Sequence, residues 1–141
     1  MVRLIVGNKG KGKTSYLLDT VNNAVREANG NIVYLDKSSK QMYDLNNRIR
    51  LIDVSTYPIK SSDALIGFIC GLAASDHDLE QVYIDAFSKL AYIAEDLSNL
   101  EAVINQLAEV GDMLNITFYV SIAAEVDQLP TSLKDMVAAA L

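Results

Sequence analysis

The chain holds one cysteine, one histidine, two prolines and, beyond Arg50, no arginine. A single thiol, Cys70, excludes an internal disulfide and a cysteine-cluster metal site, so a reducing, cytoplasmic setting is expected. No apolar run reaches the ~20 residues of a membrane span. Met1 to Val6 is too short an apolar stretch to read as a secretory leader. The lone histidine, His77, stands between Asp76 and Asp78 and reads as surface loop, not as a catalyst. Positive charge is scarce after residue 60: Lys89 and Lys134 face thirteen Asp and Glu. Residues 1–60 have the opposite bias, ten Lys and Arg against five acids. With no long basic stripe in a chain of net charge −6, direct nucleic-acid binding by the monomer is not expected. An acidic face opposite an anion-binding end would also suit head-to-tail pairing with a second copy.

What is present is an alternation. Half of the 141 residues are hydrophobic, enough for the core of one domain spanning 1–141. Strands are predicted at "RLIV" (3–6), "NIVYLD" (31–36), "RIRLIDV" (48–54), "QVYIDAF" (81–87) and "ITFYVSI" (116–122). Between them, Leu17, Leu18, Val21, Ala24, Val25 and Ala28 recur at helical spacing, predicting a helix over 13–28 that Asn29-Gly30 ends. "DALIGFICGLAAS" (63–75) predicts a helix capped by Ser61 or Ser62 and apolar almost all round, hence deeply covered. Its Gly67 and Gly71 are spaced for close backbone approach. Residues 89–110 predict a helix broken near Ser98, where Ser98 and Glu101 have capping-box spacing, and ended by Gly111. A terminal helix is expected over 130–141. Strands alternating with helices imply an α/β fold: a mainly parallel five-stranded sheet with helices on both faces, three layers in all.

One stretch carries chemistry. "GNKGKGKT" (7–14) satisfies G-x-x-x-x-G-K-[ST] in full, directly after a predicted strand and at the start of a predicted helix. Backbone N–H groups in such a loop turn inward toward phosphate oxygens, and glycines at 7, 10 and 12 keep side chains out of the way. The helix start adds free N–H groups and a positive dipole end. The candidate nucleotide-binding residues are therefore Gly7, Asn8, Lys9, Gly10, Lys11, Gly12, Lys13, Thr14 and Ser15. Lys13 is placed to reach the β- and γ-phosphates, and the Thr14 hydroxyl to ligate Mg²⁺. Lys9 and Lys11 add charge that attracts polyphosphate.

Magnesium also needs a carboxylate at a nearby strand end. Asp85 in "VYID", Asp53 in "RLID" and Asp36 in "VYLD" all qualify. Asp85 is preferred, because Val82, Tyr83 and Ile84 precede it and small Ala86 follows.

With these motifs the sequence resembles P-loop NTPases. The distance from the loop to Asp85 resembles the RecA-like branch. In that branch an extra strand separates the loop strand from the Mg²⁺-aspartate strand, a place that residues 116–122 would take. Ser121 would then sit near the γ-phosphate as a sensor, and Lys13, Asp85 and Ser121 form the expected catalytic set. The stretch "LPTSL" (129–133) resembles a segment of DNA-pumping and conjugation ATPases. The layout is also similar to small stand-alone bacterial proteins labelled twitching-motility ATPases, without the histidine-containing boxes of the full motor.

The departures narrow the function. Many such ATPases carry a water-activating Glu directly after the aspartate, where this chain has Ala86. Glu125, Glu80 and Asp53 are the nearest alternative bases. The Asn-Lys-x-Asp of a GTPase, the late lid arginines of nucleoside monophosphate kinases and the Asp-Glu pair and zinc cysteines of thymidine kinases are all missing.

ATP with Mg²⁺ is the expected cofactor pair, and weak or partner-dependent ATPase activity the expected function. A neighbouring subunit or a protein partner could supply an activating cation, Arg48 and Arg50 being the one close arginine pair. Two alternatives stand beside this. One is a nucleotide-gated protein-interaction module. The other is a small-molecule kinase whose acceptor pocket Tyr57, Tyr92 and Tyr119 would line.

Overall fold

The computed structural model describes residues 1–141. Its sheet has six parallel strands: β1 (Val2–Val6), β2 (Asn31–Asp36), β3 (Ile49–Asp53), β4 (Leu79–Ile84), β5 (Thr117–Ile122) and β6 (Val137–Ala140). The spatial order is β3-β2-β4-β5-β1-β6, so β5 lies between the loop strand β1 and the aspartate strand β4. That is the inserted-strand order expected above. The registers align the strand ends: Asp36 sits opposite Asp53, Leu35 opposite Ile84, Ile84 opposite Val120 and Val6 opposite Ile122. Gly7, Asp36, Asp85 and Ser121 therefore come out at one edge of the sheet.

Helix α1 (Lys13–Ala24) covers one face, its buried Leu17 and Val21 meeting Ile5, Tyr34 and Tyr83 of the strands. Helices α2 (Ser62–Ser75) and α4 (Leu100–Leu114) cover the other. Their face carries the larger core, in which Leu65, Ile69, Leu100, Ile104 and Leu107 are fully buried. Each such side chain contributes roughly 1.5–3 kcal/mol on leaving water.

Several expectations are corrected by packing. The terminal segment is not a helix: after the single turn α5 (Thr131–Lys134) it becomes β6, pairing with β1. Alanine favours helix in isolation. Here the N–H of Leu4 and the carbonyl of Val6 need partners along β1, and they find Met136 and Leu141. The sheet thus has six strands where five were expected.

The break expected near Ser98 is present: α3 (Phe87–Leu90) and α4 are joined by an irregular stretch over 91–99. Ser98 does not cap α4. The cap position is Asn99, and its side chain serves the loop, accepting from the Ala94 N–H and donating to the Tyr92 carbonyl.

Gly111 does not end α4, which runs on to Leu114 and stops at left-handed Asn115. Gly111 instead permits close approach: a Cβ there would lie 2.8 Å from the Ile116 carbonyl oxygen. Gly111→Ala is expected to destabilise the protein by about 1–3 kcal/mol in urea unfolding, despite alanine's higher helix propensity.

Helix α1 is shorter than predicted, ending at Ala24. Ser61 is the cap of α2, accepting from the Ala64 N–H at 3.0 Å. That helix is not covered all round: Gly67 and Gly71 are exposed, and no backbone approaches them.

No helix is long and apolar enough to cross a membrane.

Candidate functional site: a glycine-rich loop facing paired strand-end carboxylates

Residues 7–12 leave β1 and wind back into α1. Gly7 is tied to β5 through its N–H to the Ile122 carbonyl, 3.2 Å. Gly10 and Gly12 adopt φ of +85° and +94°, the left-handed region that glycine enters without strain. Gly12 is the N-cap of α1, and no side chain caps that helix, so its first amides face the loop. The Lys13 ammonium folds back over the loop, donating to the carbonyls of Gly7 and Asn8. Burial draws its pKa below the usual lysine range, and the Asp85 carboxylate partly opposes that. Asn8 is held from outside by Glu125, donating through Nδ2 at 2.9 Å.

Across from the loop stands Asp85, immediately after β4 and buried. Its Oδ2 accepts from the Thr14 hydroxyl at 2.8 Å and from the Tyr34 hydroxyl at 3.0 Å. Its Oδ1 accepts from the Ala86 N–H at 2.9 Å. Three donors therefore fix the carboxylate. Tyr34 is fully buried and is one member of a tyrosine row across the sheet. Its ring stacks on Tyr83 at 6.3 Å between centroids, and Tyr83 on Tyr119 at 4.3 Å. Burial and the adjacent Asp85 charge push the Tyr34 hydroxyl far above the ordinary tyrosine range, so it stays a donor.

The three candidate aspartates are now distinguishable. Asp85 alone is bonded to Thr14. Asp53 spends its side chain on Ser55, accepting from its N–H and hydroxyl, and does not line the cleft. Asp36 does line it, one strand over from Asp85. Burial, reinforced by the Asp85 charge, raises the Asp36 pKa to about 6, against a lowering contribution from the Lys37 N–H bonded to it at 2.7 Å.

The cleft between loop and strand ends has a volume of about 770 Å³, the size range of small-ligand pockets. Only two of its lining residues are hydrophobic. The loop contributes Lys9, Gly10, Gly12, Lys13, Thr14 and Ser15. The end of β2 contributes Asp36, Lys37, Ser38, Lys40 and Gln41, and the far wall Asp85, Ala86, Ser88, Lys89, Ser121 and Ala123. Gly7, Asn8 and Lys11 belong to the loop but not to the cleft wall. Ser121 is buried at the end of β5, its hydroxyl accepting from the Phe87 N–H at 3.4 Å. Ala86 holds a left-handed φ of 52°, which turns the chain from β4 into α3.

Of the alternative bases, Glu80 is at the opposite end of β4, bonded to the Gly30 N–H. Glu125 grips Asn8, and Asp53 is engaged as above. Arg48 stands at the start of β3 and donates to the Val25 carbonyl. Tyr119 lies in the tyrosine row beneath α1 and does not line the cleft. The cleft residues the sequence reading passed over are Lys37, Ser38, Lys40, Gln41, Ser88, Lys89 and Ala123. Lys89 carried a signal in plain view, as one of two cations in an acidic half-chain.

Neither a protein-family model nor a curated protein matches the chain. Among solved structures, a KaiC-like protein from the hyperthermophilic archaeon Pyrococcus horikoshii OT3 is similar, with a TM-score of 0.62 at 14% identity. The match covers 85% of this chain and 61% of that one, so the chain spans about three-fifths of its neighbour's length. At this identity the likeness establishes the fold: an α/β P-loop fold with a parallel sheet, shared with that KaiC-like protein.

Proposed function

We propose that residues 1–141 form one nucleotide-binding domain that holds a Mg²⁺-nucleoside triphosphate, ATP for preference, and hydrolyses it slowly or with a partner's help. The observation that carries this is the 2.8 Å bond between Thr14 and Asp85 at the mouth of the glycine loop. A hydroxyl and a carboxylate joined this way are an oxygen pair suited to Mg²⁺, next to amides suited to phosphate. In this reading the loop amides and Lys13 take the phosphates, and Thr14 and Asp85 hold the metal. Mg²⁺ would neutralise charge on the β- and γ-phosphates.

Position 86 has no carboxylate, so the base falls to the other acid on the cleft wall. Asp36 is buried beside Asp85 and has its pKa raised toward neutrality, as suits a group that takes a proton from water. In this reading Ser121, at the end of the inserted strand, would sense the γ-phosphate. No arginine lines the cleft, which supports the partner-dependent version: a cation from a second subunit or another protein would raise the rate. Placement in the RecA-like branch rests on the strand order, and the likeness to twitching-motility proteins adds nothing to the chemistry.

The test is ATP titration with and without Mg²⁺. Wild type should bind more tightly with the metal, and Thr14→Ala should lose about tenfold of that gain while keeping its metal-free affinity. Equal affinity with and without Mg²⁺ in wild type would remove the metal assignment.

A further inference from the structure

A second cavity opens beside the phosphate cleft, about 250 Å³ in volume. Two short segments build it. The stretch after β3 supplies Val54, Ser55, Tyr57, Ile59 and Lys60, and the stretch around α3 supplies Lys89, Leu90 and Tyr92. The segments are joined across the cavity, the Tyr92 hydroxyl donating to the Ile59 carbonyl at 3.4 Å. Tyr57 is braced from behind by Phe68, ring centroids 5.6 Å apart. Tyr92 is held at a left-handed φ of 54°, a costly conformation for an aromatic residue. Its carbonyl accepts from Asn99, and its N–H donates to the Lys89 carbonyl. The wall is thus a built one.

Its charge is one-sided. Lys37, Lys60 and Lys89 line the cavity and no acidic residue does. None of these ammonium groups is in a salt bridge; the one ion pair in the molecule joins Met1 to Asp112. Six of the chain's eight lysines line this cavity or the phosphate cleft, and Lys37 and Lys89 line both. A protein of net charge −6 has gathered free cations here, where fields focus in a concave wall. Yet five of the nine lining residues are hydrophobic, against two of seventeen in the cleft. The second cavity therefore asks for a ligand of mixed character.

We infer that this cavity binds a small organic anion, a phosphate monoester or carboxylate on a flat apolar body. The anionic group lies among Lys37, Lys60 and Lys89, and the apolar body lies against Tyr57 and Tyr92. Lys37 and Lys89 set the anion at the border of the two cavities, beside the place proposed for the γ-phosphate. The volume is too small for a whole nucleotide, which distinguishes this ligand from the one in the loop.

Calorimetric titration tests the inference with four probes: phenyl phosphate, benzoate, inorganic phosphate and neutral benzyl alcohol. Phenyl phosphate or benzoate should bind saturably at one site, and the other two weakly or not at all. Lys60→Ala, a change at an exposed position that touches only the second cavity, should weaken that binding by about fivefold to tenfold. Lys13→Ala should leave it unchanged. Absence of saturable binding, equal binding by Lys60→Ala, or equal binding of inorganic phosphate and phenyl phosphate would each overturn the inference. So would loss of binding in Lys13→Ala, which would put the probe in the loop. ATP titrations of the same proteins report on the nucleotide reading separately, so either proposal can fail while the other stands.

Discussion

Asp36→Asn is expected to slow nucleotide hydrolysis by about 100-fold or more and, in the same protein, to raise the melting temperature at pH 8. Both effects come from one buried carboxylate. Asp36 has its pKa raised to about 6 by burial and by the Asp85 charge beside it. An acid with a raised folded-state pKa stabilises the fold fully below its unfolded value, near 4. That contribution is lost as pH rises through about 6, because the folded protein must then hold a second charge next to Asp85.

At pH 8 the wild type carries this cost and the amide does not, a difference of about 1–3 kcal/mol. The amide oxygen can still accept from the Lys37 N–H, so the local turn is kept. Thermal unfolding in metal-free buffer at pH 5 and pH 8 should show the two proteins diverging as pH rises. Single-turnover hydrolysis checks the other half. A variant that hydrolyses like wild type would move the base elsewhere, and one with an unchanged melting temperature at pH 8 would mean that the carboxylate is not strained.

Lys13→Ala should have the largest effect on binding. The Lys13 ammonium hangs over the loop on the carbonyls of Gly7 and Asn8, partly buried and with its pKa drawn down. A cation kept short of water in this way gains most from an anion that takes over its charge. Removing it should cost triphosphate binding about 2–4 kcal/mol, or roughly 30- to 1,000-fold in affinity. The fold itself should be little changed, since α1 is anchored by Leu17 and Val21 in the core below.

The glycine-rich loop and its place between a strand and a helix were legible in the sequence because the pattern is local: eight consecutive residues, with β1 before and α1 after. The strand order followed from the distance between the loop and Asp85, and the inserted β5 is where the pattern put it. Asp85 could be preferred but not separated from Asp36 and Asp53, since all three end apolar strands. What separates them is which neighbour each one faces, and that is a property of the sheet. Asp85 meets Thr14 from 71 residues away. The row of Tyr34, Tyr83 and Tyr119 was hidden for the same reason. Tyr34 and Tyr83 looked like ordinary strand residues and Tyr119 like a pocket wall, and only parallel register brings their rings together.

Two of the errors share a physical cause. "VAAA" and Gly111 were judged by local propensity, and in both places a neighbouring strand decided the outcome. The lysine gathering at the strand ends was visible as a charge bias, but its location was not.

The central claim is that residues 7–14 hold a Mg²⁺-bound nucleoside triphosphate. Its most direct test is equilibrium binding of ATP, GTP and ADP, each with Mg²⁺, to the wild type and to Lys13→Ala. The account predicts saturable one-to-one binding of ATP to wild type, and a loss of about 30-fold or more in the variant. Equal affinity in the two proteins, or no binding to either, would contradict it.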